Sequence, residues 1–339
     1  MFIKLTPKFR LIFLTFLVVA EIVVLAIMIQ FADFSDENYP VLGVTFSKSY
    51  AINDLDLDWQ ETYLAILDDL KVKDIRLVAQ WNEVEPEFKK FYFNDLDWML
   101  DRADERDVNV IMAIGRRVPR WPECHDPAWI ADLPVEKVEI EQLELIRVLV
   151  EHFQSHESIV MWQVENEPFL NSFGECPETS IGMLKKEVAL VKSLDERPVM
   201  VTDSGELSTW LKTAHLGDKF GHTLYRVVYN EYIGYFNHVF APSFYRFKSW
   251  MVRKSPDDMI VAELQAEPWV PYGYDLQVDV EKMNELMNPD VLLYNISFAR
   301  KTGFSEIYLW GVEWWYWMKV NGDDSMWETA KEVIGEYNY

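Results

Sequence analysis

The chain begins with an uninterrupted apolar run over residues 11–31, in which Glu21 is the only charge. That length matches the hydrocarbon thickness of a bilayer. Lys4, Lys8 and Arg10 precede the run, and Asp33, Asp36 and Glu37 follow it. By the positive-inside rule the N-terminus stays in the cytoplasm and the rest is exported. The expected layout is a cytoplasmic segment (1–10), a transmembrane signal anchor (11–31), a tether (32–40) and one large domain (41–339). A cleaved signal peptide releasing a secreted domain is the alternative. The run is long for such a peptide, and no small-x-small cleavage site stands out near Ala32.

Past residue 40 short apolar runs alternate with longer segments of helical periodicity. The pattern predicts strands at 41–46, 74–80, 108–114, 159–164, 198–202, 219–225, 259–264 and 306–310. Helices are predicted at 58–70, 96–105, 135–156, 181–194, 208–214, 241–254, 280–302 and 325–336. Strict strand–helix alternation argues for a parallel sheet with helical crossovers. Eight such units in about 300 residues are the size of an α/β, (β/α)8 TIM barrel. A doubly wound sheet would want a glycine-rich turn after its first strand. Gly43 stands alone inside that strand, and no GxGxxG follows.

Composition narrows the partners. The chain has 339 residues, 14 Trp and 16 Tyr, and a net charge of -24. So acidic a surface argues against nucleic acid and against polyanionic glycans. It fits a neutral substrate. The surplus aromatics suit a sugar-facing cleft.

Candidate chemistry gathers at strand ends. The fourth strand runs into Glu165-Asn166-Glu167-Pro168, and Pro168 stops its ladder. The lip of a barrel formed by the C-terminal strand ends is its active face. On the seventh strand Met259, Val261 and Glu263 share a face by alternation. This carries Glu263 to the mouth, level with Glu167. Two facing carboxylates, one protonated and one ionised, form a known catalytic pair.

On these residues, Trp162…Asn166-Glu167-Pro168 and Glu263, the chain resembles the retaining β-glycoside hydrolases built on (β/α)8 barrels. That clan contains cellulases, β-mannanases and β-galactosidases, and the resemblance covers about residues 41–339. It implies Glu167 as acid/base, Glu263 as nucleophile, and Asn166 as the partner of the sugar 2-hydroxyl. It implies Arg76 beside the nucleophile, keeping it ionised. Tyr225 resembles the residue that often touches the nucleophile from the sixth strand. Trp310 resembles the platform under the cleaved sugar. The seventh strand departs from the cellulase pattern by continuing as Leu264-Gln265-Ala266-Glu267-Pro268-Trp269. Glu267 therefore remains a rival nucleophile, and Glu165 a rival acid.

Further sugar-facing candidates are Trp121, Trp314 and Glu313. The stretch from Trp310 to Trp317 is so aromatic that at least one ring is expected in the cleft. Arg116, Arg117 and Arg120 follow the third strand. Beside an acidic lip these three either form structural ion pairs, the reading preferred here, or grip hydroxyls, and Arg116 lies nearest the strand end. Cys124 and Cys176 sit in neighbouring loops on the active face, where an exported domain can form a disulfide. His152 and His156 are four apart on a helix without HExxH, which suggests capping of its C-terminal dipole rather than metal. No metal or cofactor is expected. A catalytically inactive glycan-binding barrel and a transglycosylase using the same residues are the alternatives to hydrolysis.

Overall fold

A computed structural model of the chain describes residues 7–30, 32–35, 40–271 and 280–337. Residues 1–6, 31, 36–39, 272–279 and 338–339 lie outside it, and with them part of the cytoplasmic segment and of the tether. Eight parallel strands close into a barrel: β1 (Val41–Phe46), β2 (Asp74–Val78), β3 (Asn109–Ile114), β4 (Ile159–Val164), β5 (Val199–Asp203), β6 (Lys219–Leu224), β7 (Met259–Gln265) and β8 (Glu306–Trp310). Pairing of β1 with β8, Gly43 opposite Tyr308, closes the ring.

Alternation sorts the side chains into two layers. Outward residues such as Val44, Ile75, Val110, Trp162, Val201 and Leu309 pack under the helices. Ile111, Met161, Met200, Ile260, Ala262 and Tyr308 form a separate cluster inside the barrel. Large buried side chains on both faces of the strands account for the near-continuous apolar runs of the sequence.

One strand corrects the expected alternation. Ile260 and Ala262 point into the barrel, while Met259 and Val261 lie in the outer layer. Regular alternation would then turn Glu263 outward. The register slips between β7 and both neighbours: Thr223 pairs with Glu263 directly after His222 pairs with Val261, and Leu309 pairs with Leu264. This bulge supplies the extra residue that turns Glu263 inward.

Other elements also differ from the sequence pattern. Residues 208–214 form turns rather than a helix. The helix expected over 280–302 is two, Val280–Leu286 and Pro289–Arg300, broken where Asn288 caps the second through Val291 N. The aromatic stretch after β8 folds into the helix Val312–Val320, whose residues from Val312 to Met318 are all buried. A helix apolar all round belongs in a core. A hairpin, Val227–Asn230 with Gly234–Asn237, was not anticipated.

At the N-terminus α1 (Pro7–Gln30) runs 24 residues, and its described apolar side chains, among them Leu11, Phe16 and Ile22, are mostly exposed. The backbone is continuous, but several side chains along it fall outside the description. Counted over described residues, no helix is long and apolar enough to cross a membrane. Residues 32–35 are not a free tether. Phe34 N donates to Lys301 O at 3.1 Å, and the Arg246 guanidinium lies 5.5 Å over the Phe34 ring.

Candidate active site

The barrel mouth is built around Arg76, which rises from β2 inside the ring and is fully buried. Its Nε donates to Gln163 Oε1 at 2.6 Å, and Nη2 donates to Asn166 Oδ1 at 2.9 Å. Nη1 donates to Glu263 Oε1 at 3.1 Å and to the Ala262 carbonyl at 3.2 Å. The other oxygen of Glu263 accepts the Tyr225 hydroxyl at 3.0 Å. A charge-assisted pair with a buried guanidinium is the partner a carboxylate anion needs.

Glu167 has the opposite surroundings. It is 5% exposed and, among the described residues, forms no salt bridge. Its Oε1 accepts only a neutral donor, Thr223 Oγ1 at 3.2 Å. Burial first, then the charges of Glu263, Glu123 and Asp203, push its pKa well above the ordinary carboxyl value. Asymmetry of this kind separates an acid from a carboxylate partner.

The strand-four lip is locally strained to achieve this. Glu165 and Glu167 both adopt left-handed φ, 59° and 44°. Non-glycine residues occupy that region at a cost and cluster at functional sites. The double reversal sends Glu165 outward and Asn166 and Glu167 inward. Glu165 accepts the backbone N–H of Arg116 at 2.7 Å and of Arg117 at 3.0 Å. Gly115 permits this approach, with φ 125° and no room for a Cβ beside the Glu165 carboxylate. Behind Glu165 lie Gln142 and the wholly buried Glu187, whose pKa burial and the Glu165 charge push well up. Glu165 thus braces the lip from behind the barrel wall.

Glu123 escaped the sequence reading, and Arg120 entered it only as one of three loop arginines; both come from the loop after β3. Glu123, 4% exposed, accepts Asn166 Nδ2 at 3.0 Å. Burial and the neighbouring Glu263 raise its pKa to about 8. Arg120 reaches across the mouth to the far strands. It donates to Glu267 after β7 and, at 2.9 Å, to Glu313 after β8. Its guanidinium carbon lies over the Tyr50 ring, 3.7 Å from its centre, and over the Trp310 ring, 4.1 Å from its centre. Arg120 and Glu123 both have positive φ, so they flank a tight turn, and Cys124 next to it is disulfide-bonded to Cys176 of the following loop. The two prolines and the cysteine around Trp121 were the available sign that this loop is rigid.

The remaining expected site residues divide. Trp121 is 42% exposed and packs edge-on against Phe173, which meets Trp269, which meets Tyr225, in steps of 5.6, 5.6 and 5.3 Å. These rings form a wall leading outward from Glu263. Trp310 lies in the mouth, but the ring face turned to Arg120 is covered. Trp314 is fully buried in the core and offers no face to a sugar. Glu313 is also fully buried, and its two oxygens are taken by Ser47 N and Arg120. Glu267, the rival nucleophile, is bound to Arg120 instead of Arg76. Arg116 is paired with Asp126. His152 and His156 bond to Asp97 and Asp104 at 2.8 and 2.7 Å rather than capping their helix.

No protein-family model and no curated protein matches the sequence. Solved structures do share the fold. A xylanase 10B from Thermotoga petrophila, in complex with xylobiose, aligns with a TM-score of 0.56 at 15% identity, covering 88% of this chain and 94% of that one. A β-galactosidase from Bacillus circulans sp. alkalophilus gives 0.61 at 13%, covering 90% of this chain and 57% of that one. A GH5_18 protein from Bifidobacterium longum subsp. longum gives 0.60 at 12%, covering 89% and 80%. At these identities the likeness is one of fold, a (β/α)8 barrel shared with glycoside hydrolases.

Proposed function

We propose that this chain is a retaining glycoside hydrolase that cleaves β-glycosidic bonds of a neutral oligo- or polysaccharide. The observation that carries the reading is the contrast between two buried carboxyls in one barrel mouth. Glu263 is gripped by Arg76 and Tyr225, while Glu167 has only a threonine hydroxyl and its pKa is driven up. Glu263 attacks the anomeric carbon, and Glu167 gives its proton to the departing oxygen. Water, deprotonated by Glu167, then releases the sugar from Glu263. Such enzymes hold the two carboxyls about 5–5.5 Å apart. Asn166 has its Oδ1 fixed by Arg76 and Thr202 and donates one Nδ2 hydrogen to Glu123, and a sugar 2-hydroxyl would meet the other. The shared fold with enzymes solved with xylobiose and with Manb1-4GlcNAc supports a carbohydrate substrate.

The same proposal includes location. The apolar run 11–31, of which residues 11–30 lie on helix α1, anchors the chain in a membrane with the barrel outside the cytoplasm. The Cys124–Cys176 disulfide supports an oxidising compartment.

The test uses the full chain in detergent with aryl β-glycosides of several sugars. Glu263→Gly is expected to abolish turnover, and azide to restore it with an inverted glycosyl azide as product. Activity that survives the substitution would overturn the assignment of the nucleophile. Inertness of the wild type on every sugar would overturn the enzymatic reading.

A further inference from the structure

The group formed by Arg120, Glu267, Glu313, Tyr50 and Trp310 is not used by the reaction just described. It brings together the loop after β3 and the segments after β1, β7 and β8, so it crosses the barrel mouth. Arg120 is 7% exposed, Glu267 8% and Glu313 fully buried. Ser47 N holds the far oxygen of Glu313 at 2.6 Å, and His125 Nε2 lies 3.1 Å from the Arg120 carbonyl. Gly311, φ 132°, lets the chain pass against Glu267, where a Cβ would clash. A guanidinium lying over two rings and paired with two buried carboxylates is fixed from every side.

The position of this plug follows from the chemistry. The general acid marks the side from which the leaving group departs. Glu167 follows β4, and in an eight-stranded ring β8 lies opposite. The plug therefore occupies the side where the glycone would continue beyond the cleaved bond. On the leaving-group side stands the half-buried Phe173, from the loop that follows β4.

We propose that Arg120 closes the glycone end of the cleft and so determines exo action, with one sugar unit held and removed from the non-reducing end. The inference rests on the glycosidase reading above. It makes Arg120 a specificity-determining residue rather than a catalytic one.

The wild-type full chain in detergent is given aryl β-monoglycosides of gluco, manno, galacto and xylo configuration. It is also given the matching aryl β-1,4-disaccharides and reducing-end-labelled β-1,4-tetrasaccharides. Immediate aryl release is expected from the monoglycoside. Release from the disaccharide is expected only after a lag, while the terminal sugar is removed, and the labelled tetrasaccharide should shorten one unit at a time. Arg120→Ala should raise the rate on the aryl disaccharide relative to the monoglycoside at least about tenfold, with intact disaccharide as product. Arg120→Lys keeps a cation between the two carboxylates but loses the planar guanidinium, and is expected to show a smaller change of the same sign. Intact disaccharide released at once by the wild type would overturn exo action while leaving the glycosidase reading in place. An unchanged ratio in both folded variants would overturn the role of Arg120. A wild type inert on every probe would take down the glycosidase reading and this one with it.

Discussion

Asn166 Nδ2 donates to Oε2 of Glu123 at 3.0 Å, so the amide expected to meet a substrate hydroxyl already has a carboxyl beside it. Glu123 is nearly inaccessible, and its pKa is raised to about 8. A carboxyl whose folded pKa is raised contributes stability that is fully present below its unfolded value, near 4.5, and is lost as pH rises through the folded value. The protein is therefore expected to lose stability between about pH 5 and pH 8.5, and Glu123→Gln to flatten that dependence. Thermal midpoints of both proteins at the two pH values check this. An equal slope in the variant would count against it.

In the proposed mechanism the proton on Glu167 is needed most when the leaving group is poor. Glu167→Ala is expected to lower kcat/KM about 10²–10⁴-fold on a methyl or sugar leaving group. A far smaller loss is expected on a dinitrophenyl glycoside, whose leaving group departs without a proton. The alkaline fall in activity, which follows loss of the raised Glu167 proton, should disappear from the variant. Equal losses on both substrates would point to a structural role instead.

Arg76 is a structural as well as a chemical centre, since it joins Gln163, Asn166, Glu263 and the Ala262 carbonyl. Arg76→Met leaves Glu263 buried without its cation. Removing one partner of a buried pair costs about 3–5 kcal/mol. Denaturant melts should show a loss of that order, together with a collapse of kcat. A variant as stable as the wild type would contradict the pairing.

The Cys124–Cys176 bridge spans 52 positions and fixes the loop that carries Arg120 and Glu123. Replacing both cysteines by serine is expected to cost about 2–4 kcal/mol. KM is expected to rise more than kcat falls, because the bridge positions the mouth rather than the reacting atoms. Paired melting curves and steady-state kinetics separate the two effects.

The barrel was readable because each strand is short, apolar and bounded by a helix-period segment; β1, β4 and β8 have the expected limits. Glu263 does reach the mouth, but the alternation from which that position is expected is broken by the bulge in β7. Trp314 and Glu313 misled for a different reason. The aromatic stretch after the last strand is expected from sequence to put at least one ring in the cleft, and only the packing against β1 shows that this helix is core. Arg120 and Glu123 carry no periodic signal at all. Their roles arise from a loop that crosses the ring, and no local pattern encodes which distant carboxylate a long side chain will reach.

Phe34 and its neighbours dock beside Gly303, just before β8 begins, at the end of the barrel away from Glu167 and Glu263. A strand of five to seven residues, rising about 3.3 Å each, sets the two ends roughly 20 Å apart. With α1 embedded in a bilayer, the molecule would stand on its base with the opening directed away from the lipid. Glycans would approach from the open medium, and headgroups at the surface would be out of reach. Lengthening the chain between α1 and Phe34 would loosen this orientation, because the longer link could bend freely.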